Sequence, residues 1–278
     1  GRTYEHTYPV GIRIRPNIMA GGNLKISTGH DASKFGIPVN QLDRIESLVE
    51  ETNLHIRTLH IHTGSDIKDP DVFVQGMEVL FELIPHFPEL EVIDLGGGFK
   101  VPYRPGETAT DIPLLAQKIK EAFDAHPIAG DKKFQLWFEP GKFLVSECGY
   151  LLAEVTVMKN TGNIEFAAVN SGLNHLIRPM MYDAYHHVLN LSNPDGPVKK
   201  YTVTGNICET DTFAADRDLP EIREGDILAL CNAGAYGFEM SSNYNSRYKP
   251  AEVLIREGKS SLIRKRDNFE DLIRNQIG

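Results

Sequence analysis

Apolar residues in the first half of the chain come in short bursts that end at glycine, proline or polar residues. Residues 10–16 (VGIRIRP), 59–65 (LHIHTGS), 91–98 (EVIDLGGG) and 135–141 (QLWFEPG) are runs of this kind, the pattern of buried strands. Between them, apolar positions recur at helical spacing. Asn40 precedes Ile45, Leu48 and Val49; Asp69 and Pro70 precede Phe73, Met77, Leu80, Phe81 and Ile84; Asp111 and Pro113 precede Leu115, Ile119 and Phe123. A side-chain oxygen ahead of the first turn caps free backbone N–H groups there, and proline inside that turn has no N–H to leave unpaired. Strands alternating with helices predict parallel pairing through helical crossovers. Closing a barrel takes about eight strands, so an open doubly wound sheet and half of a barrel both fit.

After about residue 145 the rhythm changes. Segments 150–159, 165–170, 199–207, 225–234 and 251–266 are strand-like, the last with a hairpin signal at Gly258, and residues 269–277 (FEDLIRNQI) form a short closing helix. The expected organisation is an α/β domain over 1–145 and a mostly antiparallel β-domain over 146–278. No flexible linker marks the boundary.

Composition narrows the partners. With 41% hydrophobic and 24% charged residues the chain is neither disordered nor of low complexity. A formal charge of −9 argues against nucleic acid or an anionic membrane as the main partner. Three cysteines, Cys148, Cys208 and Cys231, with no CxxC, argue against a disulfide framework and against structural zinc, and give a cytoplasmic expectation. No apolar run approaches the roughly 18 residues of a membrane span. Residue 1 is Gly rather than Met, and the expectation is a natural protein longer than these 278 residues.

The candidate chemistry sits at the predicted strand ends, where α/β proteins keep their ligand sites. Gly96, Gly97 and Gly98 offer either a phosphate cup or a tight turn; a dinucleotide fingerprint fails because Val101 stands where its third glycine is required. His60 and His62 lie two apart and would share a face of one strand. They are open to three readings: a metal pair, a ring-stacking residue beside Ser65, or ordinary strand histidines. Later strand ends offer glycines and Glu-Pro-Gly rather than further ligands, so no metal is expected. Glu139 and Lys142 flank Pro140 and Gly141, either facing a heteroaromatic cofactor or forming a surface ion pair. In the second half, Arg178 and Tyr182 suit carboxylate recognition, Cys208 stands beside Glu209, and Tyr236 lies on a small-residue turn; each has a packing alternative.

Taken in order, SKFGI (33–37), HIHTGSDI (60–67), DLGGGF (94–99), EPGKFLV (139–145), SGLNHLIRPMMYDAYH (171–186), GNICETDTF (205–213) and GAYGFEMSSNYNSRYKPAEVL (234–254) resemble the fold-type III pyridoxal-phosphate decarboxylases. The resemblance implies the second half of a (β/α)8 barrel, strands five to eight, followed by the β-domain, working as a homodimer with shared active sites. It implies that His62 stacks on the pyridoxal 5'-phosphate ring, that Ser65 and Gly96 to Gly98 hold the phosphate, that Glu139 pairs with the ring nitrogen, and that Gly141 and Lys142 also bind the cofactor, with Lys142 gripping its phosphate or a substrate carboxylate. Arg178, Tyr182 and Glu209 would grip an amino-acid substrate, Cys208 would donate a proton across the dimer, and Tyr236 would touch cofactor and substrate. The expected reaction is decarboxylation of meso-diaminopimelate to L-lysine, with D-ornithine, D-lysine or a polyamine-pathway amino acid as alternative substrates.

Two departures from the family pattern stand out. Lys142 occupies the place of the family's usual Arg, keeping the charge and losing the bidentate fork. The family's Schiff-base lysine segment, roughly Tyr-Ala-Val-Lys-Ala-Asn, has no counterpart in these residues, and Lys34 belongs to a different motif. The expectation is a catalytic lysine outside the sequence given and a chain that is inert by itself.

Overall fold

A computed structural model describes residues 9–16, 18, 34–52 and 54–277; Ser33, which opens the SKFGI motif, lies outside them. The chain divides into two compact units, Gly1–Pro102 with Glu107–Leu144, and Tyr103–Gly106 with Val145–Gly278.

The first unit is barrel-type α/β. Strands β1 (Pro9–Arg15), β2 (Ile37–Pro38), β3 (His55–His60), β4 (Val92–Asp94) and β5 (Gln135–Trp137) form one sheet in the order β2-β1-β3-β4-β5, every neighbouring pair parallel. Helices α1 (Leu42–Thr52), α2 (Pro70–Leu83) and α3 (Ile112–Ala125) make the crossovers, and α4 (Pro127–Asp131) and α5 (Gly141–Val145) are single turns before and after β5. Two of the three predicted caps operate as read: the Asp69 carboxylate accepts the Asp71 N–H at 3.0 Å and that of Asp111 accepts the Leu114 N–H at 2.9 Å, whereas Asn40 lies inside a 3-10 turn, Val39–Gln41, that runs into α1. Apolar faces then meet the sheet, with Leu59, Ile93, Met77 and Leu80 fully buried, and Phe81 of α2 packs edge-on against Phe123 of α3 at 4.9 Å.

Three features depart from the sequence reading. The two-residue β2 is too short to leave a period. Strand β3 stops at His60, so His62 stands in the loop beyond it and the two imidazoles do not share a strand face. The run at 135–141 is not a buried strand: β5 is the sheet's edge and leaves Leu136 and Trp137 exposed, because an edge strand lacks a neighbour on one side.

The second unit is a β-domain. Strands β6 (Leu151–Asn160), β7 (Glu165–Val169), β8 (Val188–Asn190), β9 (Val198–Thr204), β10 (Thr212–Pro220) and β11 (Ile227–Leu230) form a sheet in the order β10-β9-β7-β6-β11-β8. All its pairings are antiparallel except β7 with β9. The short α6 (Arg178–Tyr182) precedes β8; β12 (Glu252–Arg256) and β13 (Lys259–Arg264) form a separate hairpin, and α7 (Phe269–Ile273) closes the chain. The hairpin turns on Glu257 and Gly258, both at positive φ, as a type I′ turn requires. Strand β10 escaped the sequence reading because two register shifts, with Asp216 at φ 50°, break its alternation. Val169, Val203, Leu228 and Leu230 form the core. No helix of the described residues is long and apolar enough to cross a membrane.

Candidate functional site

In the first unit the C-terminal ends of β3, β4 and β5 are laced by backbone hydrogen bonds that continue past the strands. Ile61 donates to the Asp94 carbonyl at 2.9 Å, Leu95 to Trp137 at 3.0 Å, and Glu139 to Gly96 at 2.9 Å. The glycines allow this closeness. A Cβ on Gly97 would lie 2.3 Å from the Glu139 carbonyl oxygen, and one on Gly98, at φ 95°, 2.0 Å from that of Gly64. Both distances are prohibitive, so these positions answer to backbone packing before any ligand is considered.

His62 is held within this frame. Its Nδ1 accepts the Gly97 N–H at 3.1 Å and its carbonyl accepts from the Arg13 guanidinium at 3.3 Å. An accepting Nδ1 carries no proton, which puts the neutral ring's proton on Nε2. Burial, reinforced by the charges of Arg13 and His60 and opposed by Glu139, pushes the imidazole down to about 4. His62 is therefore a neutral, half-buried flat ring. The Gly96 N–H is bonded to Asp94 Oδ1 at 2.9 Å. Among the described residues, Gly96 and Gly97 commit their N–H groups to the Asp94 and His62 side chains, and Gly98 does not.

Glu139 is exposed at the end of β5, and His60 Nε2 sits 3.3 Å from its Oε2. His60, Asp94 and Glu139 bring potential ligand atoms within 4.8 Å of one another. That is a different set from the His60–His62 pair weighed in the sequence, and Asp94 is already engaged by the glycine turn. Lys142, its side chain only 7% exposed, is ion-paired with Asp66 at 2.5 Å, so its ammonium ties the loop after Ser65 to α5. Gly141 opens α5, its N–H on the Glu139 carbonyl at 2.9 Å.

These residues suit pyridoxal phosphate on chemical grounds. A neutral imidazole can cover an aromatic ring, an exposed carboxylate can hold a protonated ring nitrogen, and a hydroxyl with a backbone N–H can take a phosphate oxygen.

The second unit gathers Arg178, Tyr182 and Tyr236 with two residues the sequence reading missed, Tyr103 and His186. Arg178 is 4% exposed. Its Nε donates to the Tyr182 hydroxyl at 2.7 Å and its Nη1 to His186 Nε2 at 3.3 Å. The guanidinium carbon lies 4.8, 5.5 and 5.9 Å from the ring centres of Tyr103, Tyr182 and Tyr236, within cation–π reach. Burial acts against the charge, but Tyr103 and Tyr182 outweigh it and the guanidinium pKa is raised.

Cys208 and Glu209 belong to an exposed group with Tyr244 and Asn245. The Cys208 thiol donates to Glu209 Oε2 at 3.5 Å and accepts from Asn245 Nδ2 at 3.4 Å, while the Tyr244 hydroxyl donates to Glu209 Oε1. That last bond holds the Glu209 carboxyl below its ordinary range and raises the tyrosine. Asp66, Asp94, His186, Tyr244 and Asn245 all lie inside the quoted motifs, yet their roles come from neighbours distant in sequence. Arg13 and Tyr103 lie outside the motifs and left no signal.

A family model described as "Pyridoxal-dependent decarboxylase, pyridoxal binding domain" matches residues 2–146. The chain is 42% identical to the diaminopimelate decarboxylase of Methanothermobacter thermautotrophicus over 275 residues, 96% of this chain and 64% of that one. It is 33% identical to that of Aquifex aeolicus over 270 residues, covering 95% and 63%. Among solved structures, diaminopimelate decarboxylase from Helicobacter pylori complexed with L-lysine superposes with a TM-score of 0.84 at 31% identity, covering 96% of this chain and 66% of that one. The M. jannaschii enzyme in co-complex with L-lysine gives 0.86 at 33% identity, covering 98% and 64%. The chain thus spans a little under two thirds of the length of the relatives it matches.

Proposed function

The chain belongs to the pyridoxal-dependent decarboxylase family, and from that premise we propose that its protein decarboxylates meso-diaminopimelate to L-lysine with pyridoxal phosphate bound at the strand ends of the α/β unit. When bound, the cofactor supplies a conjugated ring able to accept the electron pair left behind as CO2 departs. This chain's residues bind, orient and move protons around it.

His62 covers the ring face and, being neutral, adds no charge that would compete with a protonated ring nitrogen. Glu139 holds the proton on that nitrogen, which keeps the ring electron-poor. Ser65 and the Gly98 N–H take the phosphate, with Gly96 and Gly97 shaping the loop. Lys142, engaged by Asp66, orders the loop that presents Ser65. In the β-domain Arg178 and Tyr182 receive a substrate carboxylate, Tyr236 lies against cofactor and substrate, Glu209 takes the distal ammonium, and Cys208 delivers a proton to the α-carbon.

One observation carries the substrate reading. Arg178 is a buried cation whose recorded partners, two tyrosines, a third aromatic face and a histidine, are all neutral. A buried charge is costly unless an opposite charge completes it, and a substrate carboxylate supplies that charge. The holoenzyme should release CO2 from meso-diaminopimelate faster than from D-ornithine or D-lysine, which lack the second carboxylate. Arg178→Met should raise KM for meso-diaminopimelate. Equal rates on all three amino acids, measured side by side, would overturn the substrate assignment.

A homodimer fits the exposed apolar residues of the β12–β13 hairpin, among them Val253, Ile255, Leu262 and Ile263. Three free cysteines fit a reducing cytoplasm.

A further inference from the structure

His186 is fully buried, at 0% exposure, and none of the roles above uses it. Its Nδ1 lies 2.7 Å from the Cys231 carbonyl oxygen and its Nε2 lies 3.3 Å from Arg178 Nη1. A carbonyl only accepts, so Nδ1 carries the ring proton and Nε2 presents a lone pair to the guanidinium. The Tyr103 ring meets the imidazole edge-on at 5.7 Å between centres, which fixes the plane of the histidine. Burial and the charges of Arg178 and Arg217 keep it neutral, pushing it down to about 4 against the pull of the Cys231 carbonyl.

We infer that His186 is a positioning residue: it anchors one arm of the Arg178 guanidinium while Tyr182 anchors the Nε edge and Tyr103 makes a further side-chain bond, which together fix the plane that the fork presents to a carboxylate. This rests on the carboxylate-binding reading of Arg178 given above. The physical need is clear. Arginine has a long, rotamer-rich side chain, and a planar fork recognises a planar carboxylate only when its own plane is fixed. A carboxylate from the protein would fix it equally well but would neutralise the charge that the ligand requires. A neutral imidazole whose tautomer is set by a backbone carbonyl provides an acceptor without that competition.

The test uses the full-length holoenzyme, with meso-diaminopimelate as substrate and bound cofactor measured by absorbance so that kcat is counted per occupied site. His186→Phe keeps the aromatic packing and removes the acceptor. Its KM should rise roughly tenfold, the worth of one hydrogen bond to a charged group, with kcat changed less than about twofold. His186→Gln, whose amide can donate to Cys231 and accept from Arg178, should restore KM to within a few-fold of wild type. A folded His186→Phe with wild-type KM would sink the inference, as would equal losses in the Phe and Gln variants, which mark a merely structural role. Should the Phe variant fail to fold, His186→Leu takes its place with the same expectations. Arg178→Met separates the two layers: if it leaves KM unchanged the carboxylate reading itself falls, whereas if it raises KM and His186→Phe does not, only the positioning role falls.

Discussion

At the scale of single residues, histidines held neutral by the fold shape the protein's response to acid. His62 and His186 are each pushed down to about 4, chiefly by burial and then by neighbouring positive charge. The unfolded chain protonates both near 6.5. Between pH 6.5 and about 4 the unfolded state therefore binds more protons than the folded one, and stability rises with pH through that window. Stability should be full above pH 6.5 and fall progressively on acidification toward pH 4. Thermal melts at half-unit intervals check this, and in His186→Gln the fall should be shallower because one of the histidines with a lowered pKa is gone, while His62, His175 and His187 remain. Lys142 carries its charge as a point ammonium, and the fold pairs it with the Asp66 carboxylate at 2.5 Å.

At the scale of elements, local sequence signals and long-range contacts divide the work. Helix α3 starts where Asp111 can take the Leu114 N–H at 2.9 Å, so Asp111→Ala should cost about 1 kcal/mol in a denaturant titration. Such caps are legible because donor and acceptor are three residues apart. The glycine loop after β4 differs. Gly97 must admit the Glu139 carbonyl from β5's far end, 2.3 Å from where a Cβ would stand, and it must also present its N–H to His62. Gly97→Ala should push the two strand ends apart and weaken cofactor binding by tenfold or more, since a backbone clash cannot be relieved by a rotamer; equilibrium titration with pyridoxal phosphate reads this. An alanine variant with wild-type affinity would show that the loop yields more readily than its packing implies.

At the scale of the whole molecule, the proposed reading assigns ring and phosphate recognition to residues of the first unit and carboxylate and ammonium recognition to residues of the second. The segment Tyr103–Gly106 comes from the chain of the α/β unit yet belongs to the compact β-domain unit, and it delivers Tyr103 to the face of Arg178. The β12–β13 hairpin has Ile255 at 75% and Leu262 at 60% exposure, apolar surface that the proposed homodimer would bury. Sedimentation of the full-length protein should show a dimer, and Ile255→Glu with Leu262→Glu should shift it toward monomer while leaving each monomer folded.

The sequence by itself determined the α/β and β-domain classes, the crossover helices with their caps, and the motif residues at the strand ends, because periodicity and capping act over only a few positions. Tertiary structure decided what those residues do to one another. Spacing alone left His60 and His62 open to three readings, whereas the structure ends β3 at His60, sets the Gly97 N–H on His62 Nδ1 and brings His60 beside Glu139. Lys142 read as an available charge until the fold brought Asp66 beside it across 76 positions. His186 closes a quoted motif, but its tautomer depends on a carbonyl 45 positions away and was not legible there. Charge state, tautomer and burial are properties of neighbours in space, and a pattern confined to neighbours along the chain does not contain them.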